Sequence, residues 1–381
     1  MDDQLPPNPD FDDNGMMLPP WLKYPELERY SVGWRMGGGE GYTDKFMQWW
    51  KRQSWDTREE MMQEYPAEGD WEGFYGVSKL DAFRGALLGL ACGDAVGTTM
   101  EFQKRGMFYD LTDMAGGGPF QLQPGQWTDD TSMALCLAAS LAETDGFDAR
   151  DQMTRYRRWM DEGYMSSTGR CFDIGATTHR ALDDFKMTGN PWSGPTDPRT
   201  AGNGCIMRLV PVPMFFFADR ERAIEMSGDS SRTTHGAMEC IECSRLFGAM
   251  LHQALNGQSK QDILLGHGQE GFHSNAVAEI ARGAYRDKNS FDIRGSGYVV
   301  QSLEAALWCF WHTDNFEDAI LKAANLGEDA DTTAAVCGQL AGAFYGESGI
   351  PAPWLQKLAM REEIGKLAEK LMSGYGMAGG A

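Results

Sequence analysis

The 381-residue sequence predicts an all-α protein, on three observations. From Leu80 onward apolar residues recur three and four positions apart, and no stretch alternates convincingly between apolar and polar residues. The connections between the periodic stretches are rich in Gly, Pro and Asp. One helical domain over residues 79–381 is expected, its long loops assembling a site, with an extension over residues 1–78 ahead of it.

Taken in chain order, the extension differs in kind from the rest. It holds six of the twelve tryptophans, seven of the sixteen prolines, and sixteen acidic against seven basic side chains. Prolines at 6, 7, 9, 19, 20 and 25 and the run Gly37-Gly38-Gly39 exclude a long helix early on, whereas Thr43 to Glu64 fits one. Its tryptophans need a surface to cover, and two are open: the main domain, wrapped by the extension as an arm, or a second protein. Beyond it the helical spacing is carried by Leu80, Phe83, Leu87 and Leu90, then Met133, Leu137 and Leu141, then Ile241, Leu246 and Met250. Leu303, Leu307 and Phe310, and finally Val336, Leu340 and Phe344, continue it. Small residues in Ala86–Gly97 and Ala334–Gly346 allow those two helices to approach closely.

Acidic residues outnumber basic ones by 55 to 34, a net charge of −21, which disfavours nucleic acid and an anionic membrane and favours a basic partner. The N-terminus has no basic n-region or apolar h-region, and no stretch is apolar enough to span a bilayer, so a cytoplasmic protein is expected. Eight scattered cysteines among small or apolar neighbours fit reduced thiols. Cys240-x-x-Cys243 has no second such pair and lies in a helical run, which favours core packing over zinc.

Two short acidic motifs carry the chemistry: Thr128-Asp129-Asp130-Thr131 and Asp329-Ala330-Asp331-Thr332, each at the start of an Ala- and Gly-rich helix. Either alone reads as an ordinary N-cap with acidic residues in the first turn. Doubling changes the balance, because neighbouring carboxylates repel unless a cation sits between them. The predicted reading is a split binuclear site of hard oxygen ligands, suited to Mg²⁺ or Mn²⁺ and poorly to zinc. Four further segments accompany it. Gly93-Asp94-Ala95-Val96-Gly97 leads to Glu101, a candidate general base or a solvated carboxylate. Cys171-Phe172-Asp173-Ile174-Gly175 places Asp173 on a compact loop where it can face a cation. Gly202-Asn203-Gly204 offers close backbone N–H groups before a helix, the kind of arrangement that cradles phosphate. Gly295-Ser296-Gly297-Tyr298 presents an aromatic face, for a base or for the core. His235 reads equally as a site residue and as a buried, hydrogen-bonded one.

In order and spelling, the segments TDDTSM, CFDIG, GNGCIMR, GYVV and GEDADTT resemble the ADP-ribosylglycohydrolase family over roughly residues 79 to 350, and within it the bacterial dinitrogenase reductase-activating branch. The resemblance implies a single large orthogonal helical bundle holding two Mg²⁺ or Mn²⁺ ions on Thr128, Asp129, Asp130, Asp329, Asp331 and Thr332. It implies hydrolysis of an ADP-ribosyl bond, with Glu101 as the acidic gatekeeper and Asp130 and Asp329 among the catalytic groups. Gly202, Asn203 and Gly204 would line the diphosphate path, Gly175 and His235 would line the ligand, Tyr298 would lie by the adenosine, and Asp173 would face the guanidinium of an ADP-ribosylated protein arginine. One departure, Glu328 where many relatives have glycine, adds a carboxylate expected near the ions. The extension is similar in plan to immunity proteins that act against ADP-ribosyltransferase toxins, so a cognate toxin is an expected partner. Two alternatives stay open: a non-catalytic toxin-binding inhibitor on a hydrolase scaffold, and a hydrolase of O-linked or small-molecule ADP-ribose.

Overall fold

The computed structural model describes residues 10–36, 38–268 and 271–374; prolines 6, 7 and 9 and Gly37 lie outside that range. Helices dominate, and among the described residues no β-strand forms beyond three isolated bridges. The chain divides into two compact units, Met1–Ser78 and Lys79–Ala381.

In the first unit, the single helix expected over 43–64 is two: Gly38–Trp50 and Trp55–Glu64. Ser54 starts the second, its Oγ accepting from the Thr57 N–H at 3.2 Å. Arg58 ends the first from the side, donating to the Trp50 and Lys51 carbonyls at 3.1 and 2.9 Å. Four residues of turn thus supply the capping that a continuous helix would not need. The aromatic side chains pack on one another: Phe46 and Trp50 stand against Tyr75, and Trp71 lies 5.2 Å from both Trp21 and Trp34. Trp50 and Trp55 are buried while Tyr30, Val32 and Met36 are exposed. The unit therefore has a small core of its own.

The second unit is built around the helices Lys79–Gly97 and Ala330–Tyr345, whose residues are buried almost all round. Gly85 faces Gly342, Gly89 faces Gly338, Gly93 faces Ala334 and Gly97 faces Ala330, so the two run antiparallel with backbones in contact. One face of each is glycine or alanine every fourth residue, the repeat that puts small side chains in a single row. This pairing sets the C-terminal end of the first helix beside the N-terminal start of the second. Gln339 then ties the second helix to the 202–210 turn, donating to the Ile206 and Met207 carbonyls and accepting from Val210 N–H at 2.8 Å. Helices Asp129–Thr144, Arg220–Thr234, Met238–Leu255 and Val299–Trp311 complete the surround. No helix among the described residues is long and apolar enough to cross a membrane. All eight cysteines are free, and Cys240 and Cys243 are buried in the Met238–Leu255 helix.

Candidate active site

Both acidic motifs sit at helix starts, yet neither caps its own helix. Thr128 and Asp329 occupy the N-cap positions and make no side-chain capping bond. The caps come from elsewhere in the chain. Asp94, fully buried near the end of the Lys79–Gly97 helix, accepts from Thr128 N–H at 2.9 Å and Thr131 N–H at 3.0 Å, and from the Thr131 hydroxyl at 2.6 Å. Glu101 Oε2 accepts from the Ala330 N–H at 2.8 Å and the Asp331 N–H at 3.4 Å. These two take four of the N–H donors at the helix starts, the Thr332 N–H goes to Asp331 Oδ1 at 2.7 Å, and the motif carboxylates otherwise face one another.

They converge in two overlapping groups. Asp94, Asp130 and Asp331 bring carboxylate oxygens within 4.8 Å of one another, as do Glu101, Asp329 and Asp331. Asp331 belongs to both. Thr128 Oγ lies 2.9 Å from Asp94 Oδ1, 3.1 Å from Asp130 Oδ2 and 3.4 Å from Asp331 Oδ2, but a hydroxyl has one proton and serves one of the three at a time. Asp130 Oδ1 is buried with no hydrogen-bond partner. An orphaned carboxylate oxygen among crowded acidic groups fits a divalent cation, and an all-oxygen set fits a hard one.

Electrostatics point the same way. Burial, then repulsion from Asp331, pushes Asp94 up to about 7, and the same two causes push Asp329 up to about 7 and Asp173 up to about 9. Glu101 is raised by burial and then by Asp331 and Asp329; Asp129 and Asp130 are raised mainly by burial. So many buried carboxylates cannot all ionise without compensating positive charge. Among the described residues, no Lys or Arg lines the cavity above them.

That cavity, of about 390 Å³, has Asp129, Asp329, Asp331, Thr332 and Glu101 in its walls, with Asp173 and Gly175 and with Gly202, Asn203, Gly204 and His235. Asp129 belongs to neither carboxylate group; Asp130, one position on along the helix, lies in the buried one. Asp173 holds a left-handed backbone, φ 60°. Asn203 differs from a simple phosphate cradle. Its N–H donates to the Gly297 carbonyl, and its amide donates to Asp329 Oδ2 at 2.5 Å and Ser302 Oγ at 3.2 Å, so it orients an acidic group. The loop continues as turns up to the short helix Pro211–Phe215. His235 is buried, its Nδ1 2.9 Å from Thr234 Oγ, and burial followed by the nearby Arg208 lowers it to about 3, so the ring is neutral. Tyr298 is outside the cavity wall, with its hydroxyl donating to Glu239 Oε2 at 2.6 Å; its backbone pairs with Gly202.

Two expectations need correction. Glu328 adopts φ 60° and pairs with Arg294 at 3.2 Å, and it belongs to neither carboxylate group. Asp94 and Thr131, to which the sequence reading gave no role, stand in the centre. The available signal was a lone carboxylate inside an otherwise small and apolar helix, where an unpaired charge is too costly to be incidental.

The sequence profile of the ADP-ribosylglycohydrolase family matches residues 76–380. The chain is 48% identical over 292 residues to the ADP-ribosylarginine hydrolase Tri1 of Serratia proteamaculans (strain 568), a match covering 77% of this chain and 79% of that protein. It is 32% identical over 294 residues to the glycohydrolase of ADP-ribosyl-dinitrogen reductase from Rhodospirillum rubrum, covering 76% and 94%. A solved structure titled an ADP-ribosylglycohydrolase-related protein complex superposes with a TM-score of 0.69 at 40% identity, covering 77% of this chain and 98% of that one.

Proposed function

This chain belongs to the ADP-ribosylglycohydrolase family, and on that premise we propose that it hydrolyses the bond between ADP-ribose and an arginine side chain of a modified protein. The observation that carries the reading is the pair of carboxylate groups sharing Asp331 beneath a cavity walled by Asp173 and His235. Two divalent cations, Mg²⁺ or Mn²⁺, would be the cofactor: Asp94, Asp130 and Asp331 with Thr128 would hold one, and Asp329 and Asp331, beside Glu101, the other, with Asp129 and Thr332 on the cavity side. Bound there, they supply the positive charge that orients ribose hydroxyls and lowers the pKa of water.

The chain's own residues do the rest. Asp173, on the facing wall, takes the guanidinium of the modified arginine, an ion pair that fixes which linkage enters. Glu101, its Oε2 fixed by two backbone N–H groups, accepts the proton of the attacking water. Oxygen joins the anomeric carbon, the carbon–nitrogen bond breaks with its electrons going to the guanidine, and that nitrogen recovers the proton that Glu101 took from the water. Gly175, Gly202, Gly204 and His235 line the ADP-ribose path, and Tyr298 stands at the rim by the adenosine. The arginine linkage is supported by 48% identity to a protein named for it. Mass spectrometry of an ADP-ribosylated arginine protein, before and after incubation with Mg²⁺, tests the reading; persistence of the modification sinks it. Asp173→Ala should cut arginine-linked turnover at least tenfold, since second partners of this kind are worth about that, and unchanged turnover would favour an O-linked or small-molecule substrate.

The N-terminal unit supports a further part of the proposal, a role as an immunity protein that also binds and blocks a cognate ADP-ribosyltransferase toxin. Residues 1–75 lie outside the family match. The unit is acidic and exposes Tyr30, Val32 and Met36 close together in sequence, the mixture of apolar anchors and charge that interfaces use. A chain beginning at Lys79 should keep turnover and lose toxin binding; equal binding by the shortened chain would remove the unit from this role.

A further inference from the structure

Arg208 has no exposed surface, and among the described residues no carboxylate pairs with it. The other buried arginines of this domain do have partners: Arg155 with Glu143 and Asp151, Arg157 with Asp161 and Asp183. A guanidinium does not lose its proton in a protein, so Arg208 is an uncompensated cation, with Nε bonded to nothing and the Tyr156 ring 4.9 Å from its carbon. Such a charge is costly unless a neighbouring group makes use of it.

Its two bonds show the use. Nη1 donates to the Gly204 carbonyl, and Nη2 donates to Thr234 Oγ at 2.6 Å. Gly204 lines the cavity. In a trans peptide the carbonyl and the following N–H point in opposite directions, so a Gly204 carbonyl turned to the buried guanidinium turns the Cys205 N–H the other way. Among the described residues neither the Gly204 nor the Cys205 N–H has an acceptor. The second bond acts through Thr234. Because Thr234 Oγ accepts from Arg208, its own proton is free for His235 Nδ1 at 2.9 Å, and a neutral ring accepting at Nδ1 carries its hydrogen on Nε2. That nitrogen lies beside Gly202 and Gly204 on the cavity wall: a methyl group on either would come within 3.3 Å of it.

We propose that Arg208 is a positioning residue that makes the Gly204–His235 wall a donor surface for the diphosphate of the ligand, through the Gly204–Cys205 peptide on one side and the Thr234–His235 relay on the other. The cavity then has two ends of opposite character, carboxylates at the floor and N–H donors with a buried cation behind them at this wall. An anionic diphosphate is accepted at one end only, and that fixes which way round ADP-ribose lies. The inference rests on the proposed function.

The test uses the full-length protein with Mg²⁺ and ADP-ribose as the probe, by calorimetry and by steady-state kinetics. Arg208→Met should weaken ADP-ribose at least about tenfold and raise KM to match, while Mg²⁺ affinity and kcat at saturation stay within about threefold, because the residue acts on binding and not on the carboxylates. Thr234→Val, which breaks only the relay, should weaken ADP-ribose by a smaller factor, about threefold, and nitrogen-15 shifts should show His235 as the Nε2–H tautomer in the parent protein and not in the variant. A purely structural role would instead lower kcat, Mg²⁺ affinity and thermal stability together, and would overturn the proposal. So would unchanged ADP-ribose binding in both variants, or an Nδ1–H tautomer in the parent. If Arg208→Met does not fold, Thr234→Val and the tautomer measurement decide. Failure of the parent protein itself to bind ADP-ribose would overturn the functional reading and this inference with it; normal binding by the parent with unaffected variants overturns only the role of Arg208.

Discussion

The contact between helices Lys79–Gly97 and Ala330–Tyr345 can be perturbed by one methyl group, and Gly93→Ala is where it matters most. A Cβ there would overlap the Ala334 carbonyl oxygen and lie 2.6 Å from the Ala334 carbonyl carbon and 3.0 Å from the Ala335 Cα, all backbone or as rigid as backbone. Ordinary contact begins near 3.4 Å, so the helices must part by about 1 Å. Overpacking of this sort costs about 1–3 kcal/mol, offset by roughly 0.8–1 kcal/mol from the better helix propensity of alanine. The net loss, from near zero to about 2 kcal/mol, corresponds to a fall in Tm of at most roughly 8 °C.

The larger consequence is local. Asp94 is the next residue, and it faces Asp331 across this seam. Metal sites tolerate ligand displacements of about 0.2 Å, so a shift of about 1 Å should weaken Mg²⁺ at least tenfold. Gly85→Ala supplies the control. Its Cβ would meet Gly346 C at 2.5 Å and Glu347 N at 2.6 Å, a clash of the same kind about 12 Å further along the helix. Both variants should melt earlier, and only Gly93→Ala should lose Mg²⁺ affinity by calorimetric titration. Equal Mg²⁺ affinity in the two variants would refute the claim that this seam sets the spacing of the carboxylates.

Two more outcomes follow from the same geometry. Asp331→Ala removes the carboxylate common to both groups and should abolish ADP-ribose release while leaving the helical circular dichroism intact; Asp129→Ala, outside the two groups but beside them on the cavity wall, should also abolish release but weaken Mg²⁺ less, and a reversed order of affinities would contradict the assignment. The pH dependence of the cation-free protein has a fixed sign. Asp94 and Asp329 titrate at about 7 when folded and Asp173 at about 9, against 3.8 for the ordinary carboxyl. The folded protein keeps protons that the unfolded chain has released, so their contribution is full below pH about 4 and is lost as pH rises through 7 to 9. The rise in Tm on adding Mg²⁺ should therefore grow from pH 5 to pH 9, since the cation takes the place of those protons; a rise that is flat or shrinks with pH would contradict it.

How much of this was legible beforehand depends on the range of the interaction concerned. The all-α fold was readable because helical periodicity is local, and so was the glycine seam, written as small residues four apart in two segments. The two acidic motifs were readable as motifs, and their doubling favoured facing each other over capping; which groups take over the helix caps was not readable. The deciding partners, Asp94 and Glu101, are 34 residues from Thr128 and 229 from Ala330, and nothing local reports them. Glu328 failed for the opposite reason: its neighbours in sequence are acidic-site residues, but a left-handed backbone turns it to Arg294. The break between Trp50 and Trp55 was missed because Lys-Arg-Gln-Ser carries neither Gly nor Pro, and the capping by Arg58 comes from the helix beyond.

The remote caps explain why the cluster can exist at all. A helix start presents unpaired N–H donors, and a carboxylate in its first turn would ordinarily be drawn to them. Asp94 and Glu101 occupy those donors first, each from a helix end fixed by the glycine seam or just beyond it. The remaining carboxylates have few protein donors, the Asn203 amide for Asp329 and the Thr332 N–H for Asp331, and Asp130 Oδ1 has none. Their repulsion is carried by the surrounding core, where Ala330, Ala334 and Val336 are all buried. A cation bound there would relieve that repulsion, and its affinity should then depend on how rigidly the seam holds the carboxylates.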